Sequence, residues 1–69
     1  MEIKGGLVRD FRQEKGWSRF DFAKKIDATE RTVFNIENDN RTTPKRLRKI
    51  ARVLGVKPED LRGESDGDV

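Results

Sequence analysis

Two side chains with paired hydrogen-bonding groups, Arg31 and Asn35, stand four residues apart in the middle of the chain. On a helix, that spacing places them one turn apart on the same face. An arginine can donate two hydrogen bonds to O6 and N7 of guanine, and an asparagine can pair with N6 and N7 of adenine. The pair therefore has the chemistry to read base edges in DNA. The alternatives are a phosphate contact or a free surface side chain for Arg31, and a solvated helix residue for Asn35.

Glu30, Phe34 and Asn38 share the outward side of the same helix. Glu30 would repel phosphates, but it can accept a hydrogen bond from N4 of cytosine or simply favour the positive end of a helix. Phe34 can contact a thymine methyl group or be partly buried against the preceding helix. These alternatives stay open at the level of the sequence.

The segment from Ser18 to Glu37 predicts two short helices joined by a tight turn, the helix-turn-helix layout. Ser18 and Thr29 are good N-cap residues for the two helices, and Asp27-Ala28 forms the turn. Five apolar residues at helical spacing are expected to face inward: Phe22, Ala23, Ile26, Val33 and Ile36.

A preceding helix is expected from about Gly6 to Lys15, with Gly16 ending it in a left-handed conformation. Residues 1–5 are expected to fray. Trp17 is expected to pack in the core between the first two helices, whereas Phe20 points away from the inner stripe.

A fourth helix opens with Thr43 as N-cap and Pro44 as its first residue, and Gly55 ends it. Its inward face is formed by Leu47, Ile50, Ala51 and Leu54. Pro58 can start a short fifth helix. We therefore expect one all-α domain over residues 1–63 and a disordered acidic tail over residues 64–69.

Composition supports a small helical domain with a polyanionic partner. The chain has 69 residues, 42% of them charged and 32% hydrophobic, which suits short amphipathic helices. All 16 Lys and Arg precede Gly63, whereas only 10 of the 13 acidic residues do, so residues 1–63 carry a net charge of +6. A basic body suits a nucleic acid, but a small soluble protein with a charged surface explains the same composition equally well.

The residue types argue against an enzyme and against a cofactor. The chain has no cysteine and no histidine, so thiolate metal sites, disulfides and histidine-based triads are excluded. No nucleophile–base pair or phosphate-binding glycine loop is present. The absence of a readable signal peptide or membrane span points to the cytoplasm.

Taken together, these segments resemble the helix-turn-helix family of phage repressors, Cro proteins and Xre-type bacterial regulators. The resemblance runs from about Leu7 to Leu61. It rests on Lys15-Gly16-Trp17-Ser18, on Ala23, on Val33 with Ile36-Glu37-Asn38, and on Leu47-x-x-Ile50-Ala51-x-x-Leu54-Gly55-Val56. The fold implied is a compact five-helix, lambda-repressor-like domain, and the function implied is transcription regulation by insertion of the third helix into the major groove.

Phosphate contacts are expected at helix starts, where free N–H groups and the helix dipole attract anions. The candidate residues there are Ser18, Arg19, Thr29 and Thr43. In the family, the loop after the third helix follows the DNA backbone, which adds Arg41 and Lys45. Arg48, Lys49 and Arg52 are expected to be ordinary solvated charges. In similar phage repressors an Arg and a Glu matching Arg12 and Glu37 form a partly buried ion pair; two separate surface charges are the alternative.

Three residues depart from the family pattern. Arg19 replaces a common Gln, Asp27 replaces the usual turn Gly, and Asp39 replaces a frequent Gly after the third helix. The partner expected overall is double-stranded DNA with a two-fold symmetric operator, bound by a homodimer. The competing hypothesis is a protein-interaction or antitoxin-type module that uses the same fold.

Overall fold

In the computed structural model, which describes residues 1–63, five α-helices follow one another and no β-strand occurs within that range. They are α1 (Gly5–Glu14), α2 (Arg19–Lys25), α3 (Glu30–Asp39), α4 (Pro44–Leu54) and α5 (Pro58–Leu61). The predicted all-α, five-helix fold is confirmed. The acidic tail expected over residues 64–69 lies outside the described residues.

The helix ends follow the local sequence signals. Ser18 and Asp21 form a reciprocal capping box: the Asp21 N–H donates to Ser18 Oγ at 3.0 Å, and the Ser18 N–H donates to Asp21 Oδ2 at 3.3 Å. The turn between α2 and α3 places Asp27 at a φ of +58°. That left-handed conformation is mildly strained for a residue with a side chain, and it occurs where the family usually has glycine.

The core lies where the inner faces of all five helices meet. Its buried apolar side chains are Ile3, Val8, Phe22, Ala23, Ile26, Val33, Ile36, Leu47, Ile50, Ala51, Leu54 and Leu61. The inward positions predicted for α2, α3 and α4 are all among them. Trp17 is half-buried beside this cluster and stacks on Phe22, with ring centroids 6.2 Å apart.

The N-terminal segment corrects one expectation, because residues 1–4 do not fray. Ile3 is only 2% exposed, and its N–H donates to the carbonyl of Asn40 at 2.8 Å. The Lys4 N–H donates to the carbonyl of Leu61 at 2.7 Å, and the Thr42 N–H donates to the carbonyl of Met1 at 3.0 Å. The segment therefore joins the loop after α3 to the end of α5. Burial of Ile3 and these backbone bonds outweigh the tendency of a chain end to fray.

The start of α1 lies directly against the end of α3. A Cβ atom on Gly5 would stand 2.5 Å from the carbonyl oxygen of Glu37 and 2.6 Å from that of Ile36. The Gly5 N–H donates to Oδ1 of Asn40 at 3.0 Å. Helix α1 consequently begins at Gly5, one residue before the predicted start, because Asn40 satisfies an N–H that the first turn leaves unpaired.

None of the helices in residues 1–63 has the length and apolar character needed to cross a membrane.

Candidate nucleic-acid interface

The outward side of α3 presents a row of polar and aromatic side chains. Those predicted to face outward are all exposed: Glu30, Arg31, Phe34, Asn35 and Asn38. On the opposite side of the helix, Val33 and Ile36 are buried, with 0% and 3% of their surface exposed. Their burial fixes the rotation of the helix about its axis. The five outward side chains therefore share one accessible surface on a well-anchored helix.

Asn38 makes a bond within its own helix. Its Nδ2 donates to the carbonyl of Phe34 at 2.8 Å. Asn35 has no such bond within residues 1–63, so its amide donor and acceptor are both accessible. Of the two asparagines, Asn35 is the better placed to pair with an external group.

Three hydroxyl groups lie at the starts of α2, α3 and α4. The oxygens of Ser18, Thr29 and Thr43 accept the backbone N–H three residues later, at 3.0, 3.1 and 3.1 Å. Thr29 Oγ1 also lies 2.9 Å from Thr32 Oγ1. As acceptors of these bonds, Ser18 and Thr43 keep their own hydroxyl hydrogens for a further acceptor. The predicted N-caps are thus confirmed, and a second role for these hydroxyls is chemically open.

A buried ion pair connects α1 to α3. Nε of Arg12 donates to Oε2 of Glu37 at 2.7 Å, and the two side chains are 7% and 2% exposed. Nη1 of Arg12 also donates to the carbonyl of Trp17 at 2.8 Å. The pair that the family resemblance implied is confirmed, and it additionally fixes the entry to α2.

Arg19 occupies a more constrained position than an isolated surface arginine. Its guanidinium carbon stands 5.1 Å from the centre of the Phe34 ring, and its Nε lies 3.4 Å from Oε1 of Glu37. Phe34 is 45% exposed. The first residue of α2 is thereby in contact with the outward side of α3.

A shallow groove between α3 and the start of α4 brings several predicted residues together. Asn35, Arg41 and Thr43 line it, with Thr32 and Arg46 beside them. Lys45 lines an adjoining groove that shares Thr43 and Arg46. Arg41 lies in the loop between α3 and α4, Lys45 lies in the first turn of α4, and both side chains are exposed.

Two further residues of this groove, Thr32 and Arg46, were not among the predicted site residues. Both are half-buried residues at the border between the inner and outer faces of their helices. Their spacing was a usable signal, because Thr32 lies three residues before Asn35 and Arg46 lies three residues after Thr43.

Within residues 1–63, no three potential carboxylate, histidine or cysteine ligands come together as a metal site.

A helix-turn-helix family model matches residues 8–61 of the chain. A chain of the SinR–SinI protein complex is 28% identical, with a TM-score of 0.76 over 96% of this chain and 66% of that one. SinR in complex with DNA, described as the master regulator for biofilm formation, is 30% identical, with a TM-score of 0.69 over 80% of this chain and 90% of that one. The SinR DNA-binding domain is from Bacillus subtilis.

The fold is also similar to part of an enzyme. Hydroxypropylphosphonic acid epoxidase from S. wedmorenis is 26% identical, with a TM-score of 0.78 over 99% of this chain but only 38% of that chain. The chain thus spans just under two thirds of the SinR-complex chain and well under half of the epoxidase. No curated protein sequence matches it.

Proposed function

Because the chain belongs to the helix-turn-helix family of the Xre, Cro and phage-repressor type, we propose that it is a sequence-specific DNA-binding regulator of transcription. Residues 1–63 form its DNA-binding domain, and α3 enters the major groove. The observation that carries this proposal is the exposed pair Arg31 and Asn35 on a helix whose opposite face is buried. An α-helix fits the major groove, where base edges present distinct donors and acceptors.

The proposed base readers are Arg31 and Asn35, with Glu30 and Asn38 beside them on the same side of α3. Arg31 binds guanine and Asn35 binds adenine in this proposal, because their hydrogen-bonding groups match those base edges. Glu30 restricts the choice by repelling phosphates and accepting from cytosine.

The proposed phosphate contacts surround α3. Arg19, Arg41 and Lys45 supply positive charge, and the capping hydroxyls of Ser18 and Thr43 supply hydrogen-bond donors. Thr29 lies at the start of α3, where free N–H groups of the helix also attract a phosphate. The net charge of +6 over residues 1–63 favours such a polyanionic partner.

A single domain of this size buries little surface on DNA, so we propose a homodimer on a two-fold symmetric operator with half-sites about one helical turn apart. Solved SinR structures include one with DNA, which supports the DNA-binding role by similarity. Family membership favours a regulator over an enzyme, although the epoxidase shows that a similar fold also occurs within an enzyme chain.

A protein-interaction module is the second candidate function. It is favoured by two exposed aromatic side chains, Phe20 at 53% and Phe34 at 45% exposure. Exposed aromatic residues are enriched in protein interfaces, but single ones are also common on monomers.

Binding to a library of DNA duplexes at increasing salt concentrations tests the main proposal. We expect affinity to fall steeply with salt, because binding releases counterions from the DNA and added salt opposes that release. We also expect a subset of sequences to be bound preferentially. Absence of any binding at low salt would reject DNA binding, and uniform affinity for all duplexes would reject sequence specificity.

A further inference from the structure

The contact between Arg19 and Phe34 joins the start of α2 to the outward side of α3. The guanidinium carbon lies 5.1 Å from the ring centre, within the range of a cation–π interaction. Arg19 is neither buried nor fully free, since its side chain is 37% exposed. The ring therefore restricts an arginine that still faces solvent.

Glu37 restricts the same arginine from a second direction. Its Oε1 accepts from Nε of Arg19 at 3.4 Å, while its Oε2 accepts from Arg12 at 2.7 Å. The Glu37 side chain is 2% exposed, and it belongs to the buried ion pair with Arg12, so its position is fixed. Arg19 thus has its Nε directed at a fixed carboxylate and its guanidinium carbon 5.1 Å from the centre of the Phe34 ring.

The outer nitrogens of Arg19 remain available. Within residues 1–63, the hydrogen bond of Arg19 uses Nε alone, and neither Nη atom donates to a protein acceptor. An arginine held in this way presents two N–H groups in a geometry that suits a phosphate. Because the side chain is already ordered, phosphate binding costs less rotamer entropy than for a free arginine.

We propose that Phe34 is a positioning residue rather than a thymine reader: together with Glu37, it holds Arg19 as a preorganised phosphate-binding group at the start of α2. This inference rests on the proposed DNA binding. It also explains how Arg19 can serve where the family commonly has Gln, since Phe34 supplies the contact that orients the longer side chain.

The test is a double-mutant cycle of Phe34→Leu and Arg19→Gln, measured by binding to a preferred duplex and to a scrambled one. We expect Phe34→Leu to weaken binding to both duplexes by the same factor, about two- to fivefold, the size of one partly exposed cation–π contact. In the Arg19→Gln background, Phe34→Leu should have no further effect, because the group that it positions is gone.

The matched control is Phe20→Leu, which changes another exposed phenylalanine that lies beside a cation, Lys24 at 4.6 Å. We expect it to leave DNA binding unchanged.

Replacing thymidine by deoxyuridine in the duplex removes the thymine methyl groups. If Phe34 positions Arg19, the effect of Phe34→Leu should be the same on the thymidine duplex and on the deoxyuridine duplex.

An effect of Phe34→Leu that persists without Arg19, or that disappears on the deoxyuridine duplex, would overturn the proposal and assign Phe34 to thymine. The Arg19 Nε–Hε resonance of the free protein gives a readout without DNA: we expect a ring-current shift that Phe34→Leu removes. If the wild type binds no duplex, the proposed function fails and this inference with it. If the wild type binds but the cycle is additive, only this inference fails.

Discussion

Nε of Arg12 and Oε2 of Glu37 are 2.7 Å apart in a nearly solvent-free position between α1 and α3. Arg12 also binds the carbonyl of Trp17, so one guanidinium connects three parts of the chain. In residues 1–63, no buried side-chain nitrogen or oxygen lacks a hydrogen-bond partner. The arrangement is therefore a satisfied polar network, which is the condition under which a buried ion pair is tolerated.

Removing one partner of this pair should strongly destabilise the domain. We expect Arg12→Ala to lower the free energy of unfolding by about 3–5 kcal/mol, because it leaves Glu37 buried without its main counter-charge. Small domains have about 5–15 kcal/mol in total, so the variant would be close to unfolding. Urea denaturation measures the loss.

Arg9→Ala, which changes an exposed arginine on the same helix, is the control and should shift stability by less than about 0.5 kcal/mol. A loss below about 1 kcal/mol for Arg12→Ala would contradict the expected cost.

The two adjacent glycines at the start of α1 should respond in opposite ways to alanine. In Gly5→Ala, the new methyl group would stand 2.5 Å from the carbonyl oxygen of Glu37, so α1 must move away from α3. We expect a loss of about 1–3 kcal/mol from this overpacking. A Cβ at Gly6 meets nothing within 4 Å. Gly6→Ala should therefore be neutral or stabilising by up to about 1 kcal/mol, through helix propensity alone. Thermal unfolding of the two variants gives the comparison, and equal effects would show that the close approach does not constrain the helix.

The docked N-terminal segment should contribute to stability through Ile3. Truncating this 2%-exposed side chain in Ile3→Ala should cost about 2–4 kcal/mol, because apolar contacts are lost and a cavity remains. Amide hydrogen exchange should also accelerate at Thr42, whose N–H donates to the carbonyl of Met1. Phe20→Ala, at a 53%-exposed site, is expected to cost less than about 1 kcal/mol. Unchanged stability in Ile3→Ala would mean that the segment is not held in solution.

Base readers and phosphate contacts should be separable by mutation. We expect Asn35→Ala to cost about 1–3 kcal/mol on the preferred duplex and to relax base preference at one position. Arg41→Ala should weaken all sequences alike and reduce the salt slope by about one unit. Arg52→Ala, on the exposed side of α4, serves as the charge-matched control and should leave the slope nearly unchanged. Identical behaviour of Asn35→Ala and Arg41→Ala would refute the assignment of these two roles.

Much of the helical framework could be predicted because its signals are local. The caps at Ser18, Thr29 and Thr43 act on N–H groups three residues away, and the apolar stripes repeat within single helices. Family resemblance added the ion pair between Arg12 and Glu37, which no local pattern specifies. The bases and phosphates assigned to individual site residues stay predictions, since they depend on a partner molecule.

Residues 1–4 show where local reasoning failed. A short segment with two following glycines has no periodic pattern, and Ile3 alone does not reveal which surface it covers. Its partners, the Asn40 carbonyl and the end of α5, become neighbours only once α1, α3 and α5 pack together.

By itself, the sequence determined the number of helices, the N-caps and inward faces of α2, α3 and α4, and the outward positions of Arg31 and Asn35 on α3. Those properties follow from hydrogen bonds and side-chain periodicity over a few residues. Only the tertiary structure decided that Arg19 lies beside Phe34, that Gly5 lies against the end of α3, and that Ile3 is buried. These contacts join residues far apart in the chain, and they depend on the distances and angles at which the helices pack.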